Sequence, residues 1–323
     1  MVGNLPLVTI GLPIYNRPEG LRRTLDCIIH QTYTNIEIII ADNCSPNPEV
    51  EQIAREYLEK DKRITYYRHD SNKGWGFNTV FVIEKAKGDY FLRATDDDWW
   101  ESSFIEKMIN LHQQDENILV ASSEFAYVDE AGNECWTYGV KSHIYYLKAF
   151  TTNKHFVNLK NYINQFEGFG KATYYLGLYK TSILKNEIVY SILRDELLEG
   201  DLLINFYCLL RGKFALDERK MIHFTIGNPK YYTNEVVVKK RISFIFLEID
   251  FKKINTLYKK WNPYFLNLKK LVNHSELTFR EKFSLNNLIF LRKLGFIYDL
   301  IASNSDSRPI NIFYRIRRKY NLE

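Results

Sequence analysis

Four cysteines in 323 residues, Cys27, Cys44, Cys135 and Cys208, are too few and too scattered to staple a fold. None is close-paired with another and no histidine array accompanies them. That excludes a disulfide frame and a zinc site, and it is the pattern of reduced thiols in a cytosolic protein. The opening Met1-Val2-Gly3-Asn4-Leu5-Pro6 lacks a basic segment followed by a long apolar stretch, so no signal peptide is expected. No apolar run approaches the roughly 18 residues that span a bilayer. Phosphate-binding fingerprints are missing too. Gly74-Trp75-Gly76 has neither the glycine spacing of a dinucleotide-binding turn nor the Gly-Lys-Ser/Thr of a P-loop, and it reads as a turn.

What is present is the balance of a soluble globular chain, 46% apolar and 26% charged, long enough for one large domain or two ordinary ones. Aromatics are abundant, with 23 Tyr and 21 Phe; such rings suit stacking on flat ligands, although most are simply core. The net charge of +5 hides an asymmetry. Residues 239–323 hold 18 Lys and Arg against 7 Asp and Glu, a surplus of 11, while the first 238 residues are acidic by 6.

Along the chain, Leu7 to Pro13 is a β-rich run ended by Pro, and Leu21, Leu25, Ile28 and Ile29 then repeat on one helical face. Ile36 to Ala41 is a second strand ending at Asp42, and a helix carries Val50, Ile53, Ala54 and Tyr57. Ile64 to Tyr67 is a third strand. A helix over about 77–86 leads through Gly88-Asp89 into a strand that runs to Asp96. After a helix with Phe104, Ile105, Met108 and Leu111, Ile118 to Ala121 resumes as strand. This alternation predicts an α/β fold, a Rossmann-like, doubly wound, mostly parallel sheet, whose ligand lies beyond the carboxyl ends of the strands. Those ends carry Pro13-Ile14-Tyr15-Asn16, Asp42-Asn43 and Asp96-Asp97-Asp98, so three polar groups converge on one edge.

The apolar run Tyr90-Phe91-Leu92-Arg93-Ala94-Thr95 stops abruptly in the three carboxylates. Unpaired buried carboxylates are costly, so solvent, hydrogen-bond donors or a cation must meet them. A hard divalent cation held by one or two carboxylates and completed by water and substrate phosphates is one solution. A solvated acidic loop capping the next helix is the other.

Taken in order, Pro13-Ile14-Tyr15-Asn16-Arg17, Gln31-Thr32-Tyr33, Ile38-Ile39-Ile40-Ala41-Asp42-Asn43, Gly88-Asp89-Tyr90 and Thr95-Asp96-Asp97-Asp98 resemble family 2 glycosyltransferases of the GT-A fold. The resemblance covers about the first 125 residues. It implies a nucleotide-sugar donor, usually a UDP-sugar, bound with Mn2+ or Mg2+, and hexosyl transfer with inversion. In that frame Pro13 and Tyr15 pack the nucleoside, with Tyr15 stacking on the base, and Asn16 and Arg17 continue the same donor-binding segment. Asp42 accepts a hydrogen bond from the base and Asp96 contacts the ribose. Asp97 ligates the metal, and Asp98 supports it or binds sugar. Thr95 stands where the family's metal motif often has another Asp. Lys73 is either a positive charge for the diphosphate or a solvated loop lysine.

Further along, Tyr174 to Ser182 resembles the strand and Arg/Lys-x-Ser stretch that precedes the family's base, and Leu197 to Leu203 resembles the acidic motif itself. The base role is carried to Asp201, which opens an apolar helix, with Glu199 as the alternative. A helix N-cap is the structural reading of the same Asp. His223 is displaced from the family's metal histidine and reads as a strand histidine facing a polar neighbour. A sugar nucleotidylyltransferase would need a Gly-rich, basic N-terminal loop, unlike Leu12-Pro13-Ile14-Tyr15-Asn16. A degenerate member that binds nucleotide or glycan without transfer is the non-enzymatic alternative, against which Asp42, Asp97 and Asp201 argue.

The expected organisation is a GT-A catalytic domain over 1–235, with a nucleotide-sugar half (1–125) and an acceptor half (126–235), and a helical, basic C-terminal extension over 236–323. There Lys239-Lys240-Arg241, Lys252-Lys253, Lys259-Lys260 and Lys269-Lys270 interleave with Ile245, Phe246, Ile249 and Ile254, and a last helix runs from Ile310 to Tyr320. Such bases either lie on an anionic membrane surface, which suits a lipid-linked or glycan acceptor, or form the solvated face of an appendage. No nucleic-acid recognition motif accompanies them. The family and the basic end imply cytoplasmic placement, with a peripheral position on the cytoplasmic membrane face as the second option, and work in bacterial surface-glycan or polysaccharide synthesis.

Overall fold

The computed structural model of the chain describes residues 5–129, 131–135, 143–165, 170–195, 199–225 and 251–302. Its first half is the expected alternation. Strand β1 (Val8–Ile14) is followed by helix α1 (Pro18–Ile29), β2 (Ile36–Asp42), α2 (Pro48–Lys60), β3 (Ile64–Arg68), α3 (Trp75–Lys85) and β4 (Tyr90–Arg93). These four strands are mutually parallel in the order β3-β2-β1-β4. Residues such as Val8, Ile10, Leu12, Ile38 and Ile40 are fully buried, as strands covered by helices on both faces demand. Register levels their ends: Ile14 lies opposite Asp42, and Gly11 opposite Arg93.

Beyond β4 come β5 (Trp99–Trp100), α4 (Phe104–His112), β6 (Ile118–Val128), β7 (Glu134–Cys135), α5 (Ile144–Lys148) and α6 (His155–Asn164). A 3-10 turn (Lys171–Leu176) then precedes β8 (Leu178–Lys180), α7 (Thr181–Leu184), α8 (Glu187–Arg194), α9 (Gly200–Arg211) and β9 (Lys213–Thr225). The sheet runs on as β4-β8-β6-β9-β5, antiparallel at β8 and β5, with β7 paired to β6. It is an α/β sheet, parallel in the first four strands and mixed after them.

Two expectations shift. The strand expected to reach Asp96 stops pairing at Arg93, because its last ladder bond is Ala94 N–H to the Gly11 carbonyl at 2.9 Å; the carboxylates therefore stand on a loop. The stretch Tyr174 to Ser182 is mostly turn and helix around a three-residue strand. Gly177 closes that turn on the Tyr174 carbonyl, and a Cβ there would lie 2.6 Å from the Ala121 carbonyl oxygen.

Two further helices follow, α10 (Phe251–Asn273) and α11 (Phe279–Ala302). They pack on each other, with α10 against α9 and α11 against α6, burying Tyr264, Phe265, Leu268, Val272, Leu285 and Ile289. The boundary expected at residue 235, the segment Lys239 to Ile249 and the helix expected over Ile310 to Tyr320 lie outside the described residues. No helix among the described residues is long and apolar enough to cross a membrane.

Candidate active site

One helix sets the acidic loop. Leu21, Leu25 and Ile28 of α1 face the core, and a second face of the same helix, at helical spacing, receives residues 95–102. Gly20 touches the Asp96 carbonyl so closely that a Cβ would lie 2.0 Å from its oxygen. The Thr24 hydroxyl bonds the carbonyls of Thr95 (3.0 Å) and Asp98 (2.9 Å), and Arg23 donates to the Asp97 carbonyl at 3.0 Å. Cys27 Sγ meets the Trp100 amide at 3.1 Å, and just past the helix end Gln31 Nε2 donates to the Glu101 carbonyl at 3.0 Å. A loop whose backbone groups are paired on a rigid helix holds its side chains in fixed directions.

Those directions separate the three carboxylates. Asp96 is buried, accepts the Tyr15 amide at 3.4 Å and lies 3.4 Å from Arg17 Nη1. Burial pushes its pKa up to about 6; Arg17 opposes the rise and the Asp97 charge adds to it. Asp97 is half-exposed and pairs with the same Arg17 nitrogen, so one guanidinium bridges Asp96 and Asp97. Asp98 turns inward, accepting the Thr95 hydroxyl at 2.8 Å and the Thr225 amide at 3.2 Å. Burial, then the Asp97 charge, pushes its pKa up to about 7.

On the neighbouring loops, the Tyr15 ring is exposed and Asp42 is fully buried. The Asp42 carboxylate accepts the Ser45 amide (2.8 Å) and hydroxyl (2.6 Å), the Tyr66 hydroxyl (3.0 Å) and Arg68. Any nucleobase would meet it through, or in exchange with, Tyr66 and Arg68, which sequence reading did not pick out. Asn43 was likewise missed as a fastener: it bonds Asn72 and the Gly74 carbonyl and accepts the Lys73 amide at 2.9 Å. Lys73 itself pairs with exposed Asp70 at 2.9 Å. Pro13 lies in β1 opposite Ala41. Asn16 donates its amide to Ser45 Oγ at 2.9 Å and accepts the Asn47 amide at 3.3 Å, tying the two loops together.

The non-glycine residues described with positive φ are Asn16 (58°), Cys44 (63°) and Glu199 (58°). All three stand on the segments that carry the candidate residues. Left-handed backbone in non-glycine residues is strained and tends to gather at functional sites.

Glu199 is the left-handed N-cap of α9 and Asp201 sits in that helix's first turn. Burial raises the Asp201 pKa, while the Leu202 amide and the charges of Arg93 and Lys171 oppose the rise. Arg93, at the end of β4, acts on both Asp98 and Asp201 and lies over the Tyr175 ring, 5.0 Å from its centroid. Its Nε and the Tyr175 hydroxyl are buried with no hydrogen-bond partner among the described residues. Sequence reading missed Arg93 because it falls inside an apolar strand. Lys171 is fully buried, donating to the carbonyls of Tyr162 and Gln165 at 3.1 Å each. His223 meets Glu101 at 2.9 Å and stacks on Trp99 at 3.7 Å, as expected for a strand histidine facing a polar neighbour.

Of the two carboxylates expected at the metal, half-exposed Asp97 already meets a cation, Arg17, and offers the hard oxygen donor that suits Mg2+ or Mn2+, whereas Asp98 is buried against Thr95 and Thr225. Among the described residues no group of three or more His, Cys, Asp or Glu converges as a closed cage, so a metal here would draw its remaining ligands from water and substrate oxygens.

Comparison with known proteins identifies the family and agrees with the fold. The family model for glycosyl transferase family 2 matches residues 9–178. An uncharacterised glycosyltransferase of Methanocaldococcus jannaschii is 26% identical over 279 residues, covering 83% of this chain and 89% of that protein. Staphylococcus aureus TarS 1–349 superposes with a TM-score of 0.60 at 13% identity, covering 98% of this chain and 78% of the TarS chain; it has also been crystallised with UDP-GlcNAc. A Pyrobaculum calidifontis mannosyltransferase in complex with GDP-Man and Mn2+ superposes with a TM-score of 0.51 at 13% identity, covering 99% of this chain and 82% of that one.

Proposed function

The chain belongs to glycosyltransferase family 2, and from that premise we propose that it transfers a sugar, with inversion, from a nucleotide-sugar, a UDP-sugar first among them, to a hydroxyl on a glycan or lipid-linked acceptor. The observation that carries this reading is the placement of Arg93: its charge acts on Asp98 of the acidic loop and on Asp201 of α9, so the donor-side and acceptor-side carboxylates lie near one guanidinium. The sheet edge supports the donor half, with the exposed Tyr15 ring free to stack on a base and Asp96 placed beside the Tyr15 amide to receive a ribose hydroxyl.

Asp97 would hold Mn2+ or Mg2+ as the direct ligand in place of Arg17, leaving Asp96 to the ribose; when bound, such a metal neutralises charge on the departing diphosphate. Arg17, once released, remains beside the diphosphate as a second positive charge. Asp201 does the acceptor chemistry. Its burial makes it a better proton acceptor than an exposed Asp, while the charges of Arg93 and Lys171 oppose that rise. It takes the acceptor's hydroxyl proton as the new carbon-oxygen bond forms, on the face opposite the leaving diphosphate. Glu199, one position before α9, is the alternative base.

Calorimetric titration with UDP, GDP and dTDP, with and without Mn2+, tests the donor half. Metal-dependent binding of one nucleotide, lost in Asp97→Ala, is the expected result. No binding of any of the three, with metal present, would overturn the reading.

A further inference from the structure

Helix α11 is apolar on two faces. One packs inward through Leu285, Ile289 and Arg292, all buried. The other carries Phe279, Phe283, Phe290 and Leu294, which are 83%, 59%, 59% and 44% exposed. Their steps of four, seven and four residues confine them to an arc of about 60° at 100° per residue, roughly 140° from the packed face. Phe279 and Phe283 stack on each other with centroids 6.4 Å apart. Single exposed apolar side chains are ordinary, but three Phe and a Leu exposed along one side of a helix call for a partner.

Charge identifies it. On the helical wheel Lys282 and Lys293 flank one side of the stripe and Arg280 the other. Lys282 donates to the Asn273 carbonyl at 3.0 Å, a neutral acceptor that leaves its positive charge in place, and Lys293 donates to Asn262 Oδ1 at 2.6 Å. Glu281 is turned to the helix start, where it accepts the amide (2.9 Å) and hydroxyl (2.7 Å) of Thr278 in a capping box. Lys269 and Lys270 of α10 are exposed as well, and residues 239–323 carry a surplus of 11 positive charges. Phenylalanines in a narrow stripe between lysines and arginines fit the headgroup zone of an anionic bilayer, where rings enter the acyl boundary and bases meet lipid phosphates.

We propose that the Phe279-Phe283-Phe290-Leu294 face of α11 docks this protein on an anionic phospholipid surface. Because α10 packs on both α11 and α9, docking would hold the Asp201 helix at a fixed height above the lipid. The surface is defined without reference to the donor site, so its test uses no substrate.

The full chain is sedimented with vesicles of phosphatidylglycerol and phosphatidylethanolamine, and with vesicles of phosphatidylcholine alone. Expected is binding to the first, weakened in high salt, and at least tenfold weaker binding to the second. Phe279→Ser with Phe283→Ser should reduce partitioning by about 10- to 100-fold, since each loses most of a buried ring; Arg280→Glu with Lys282→Glu should abolish the preference for anionic lipid. Unchanged melting temperature and nucleotide binding confirm that these exposed variants fold. Failure of the parent to bind anionic vesicles, or binding unaffected by either double variant, overturns the proposal. A concentration-dependent dimer in light scattering that Phe279→Ser with Phe283→Ser dissolves would also overturn it, assigning the face to a second copy instead.

Discussion

Replacing Gly20 by alanine sets two physical expectations of opposite sign against each other. Gly20 lies in the first turn of α1, and in an isolated helix the change to alanine gains up to about 1 kcal/mol. Here the new Cβ would lie 2.0 Å from the Asp96 carbonyl oxygen and 3.1 Å from its carbon. An ordinary carbon-to-oxygen approach is about 3.3 Å, so the acidic loop must retreat by roughly 1.3 Å. Its freedom to do so is small, because Thr24 and Arg23 pin the carbonyls on either side. Overpacking of this kind costs about 1–3 kcal/mol, and after a helix gain of about 1 kcal/mol a net loss of up to about 2 kcal/mol remains, a fall in Tm of up to about 8 °C. Activity should suffer more than stability, because a shift of about 1 Å in a positioned group costs on the order of 100-fold. Thermal unfolding together with donor-nucleotide titration measures both. A Gly20→Ala protein that is more stable than the parent and binds nucleotide normally would refute the claim that α1 sets the acidic loop.

Three further outcomes follow from the site. Asp201→Asn should lower kcat by about 100- to 10,000-fold while leaving nucleotide affinity unchanged, since it removes a proton acceptor and no donor contact; initial rates paired with calorimetry separate the two. Arg93→Gln should move the acidic limb of the pH–rate profile upward by about one unit, because Arg93 opposes the burial-driven rise of the Asp201 pKa, and Arg93→Lys should restore much of the original profile. Asp98→Asn should stabilise the metal-free protein at pH 8 by at most about 4 kcal/mol, and by little at pH 4. The sign follows from a folded pKa of about 7, above the unfolded value: the native state binds the extra proton, so the parent loses stability as pH rises toward 7 and the neutral amide does not. Urea denaturation at the two pH values, with a chelator present, checks the sign, and the same variant should lose donor affinity.

The first four strands, their crossover helices and the meeting of Tyr15, Asp42 and the acidic triplet at one sheet edge were legible in the chain, because apolar runs of strand length alternate with amphipathic helices and polar residues mark their ends. Period alone fixes such elements, and a parallel alternation leaves few topologies. Segment 174–182 was less legible, since an aromatic-rich run reads alike as strand or turn until Gly177 is seen against the Ala121 carbonyl. Nothing local announces that Gly20, Thr24, Cys27 and Gln31 form a bed for residues some seventy positions away. Nor could spacing tell that Asp98 faces Thr225, that Asp42 is saturated by Ser45, Tyr66 and Arg68, or that the charge of Arg93 acts on both Asp98 and Asp201. The sequence by itself determined which residue types arrive at the edge, because that depends on order and period. Only the tertiary structure decided which of their atoms remain available for chemistry, because burial and hydrogen-bond partners come from chain segments that approach one another only on folding.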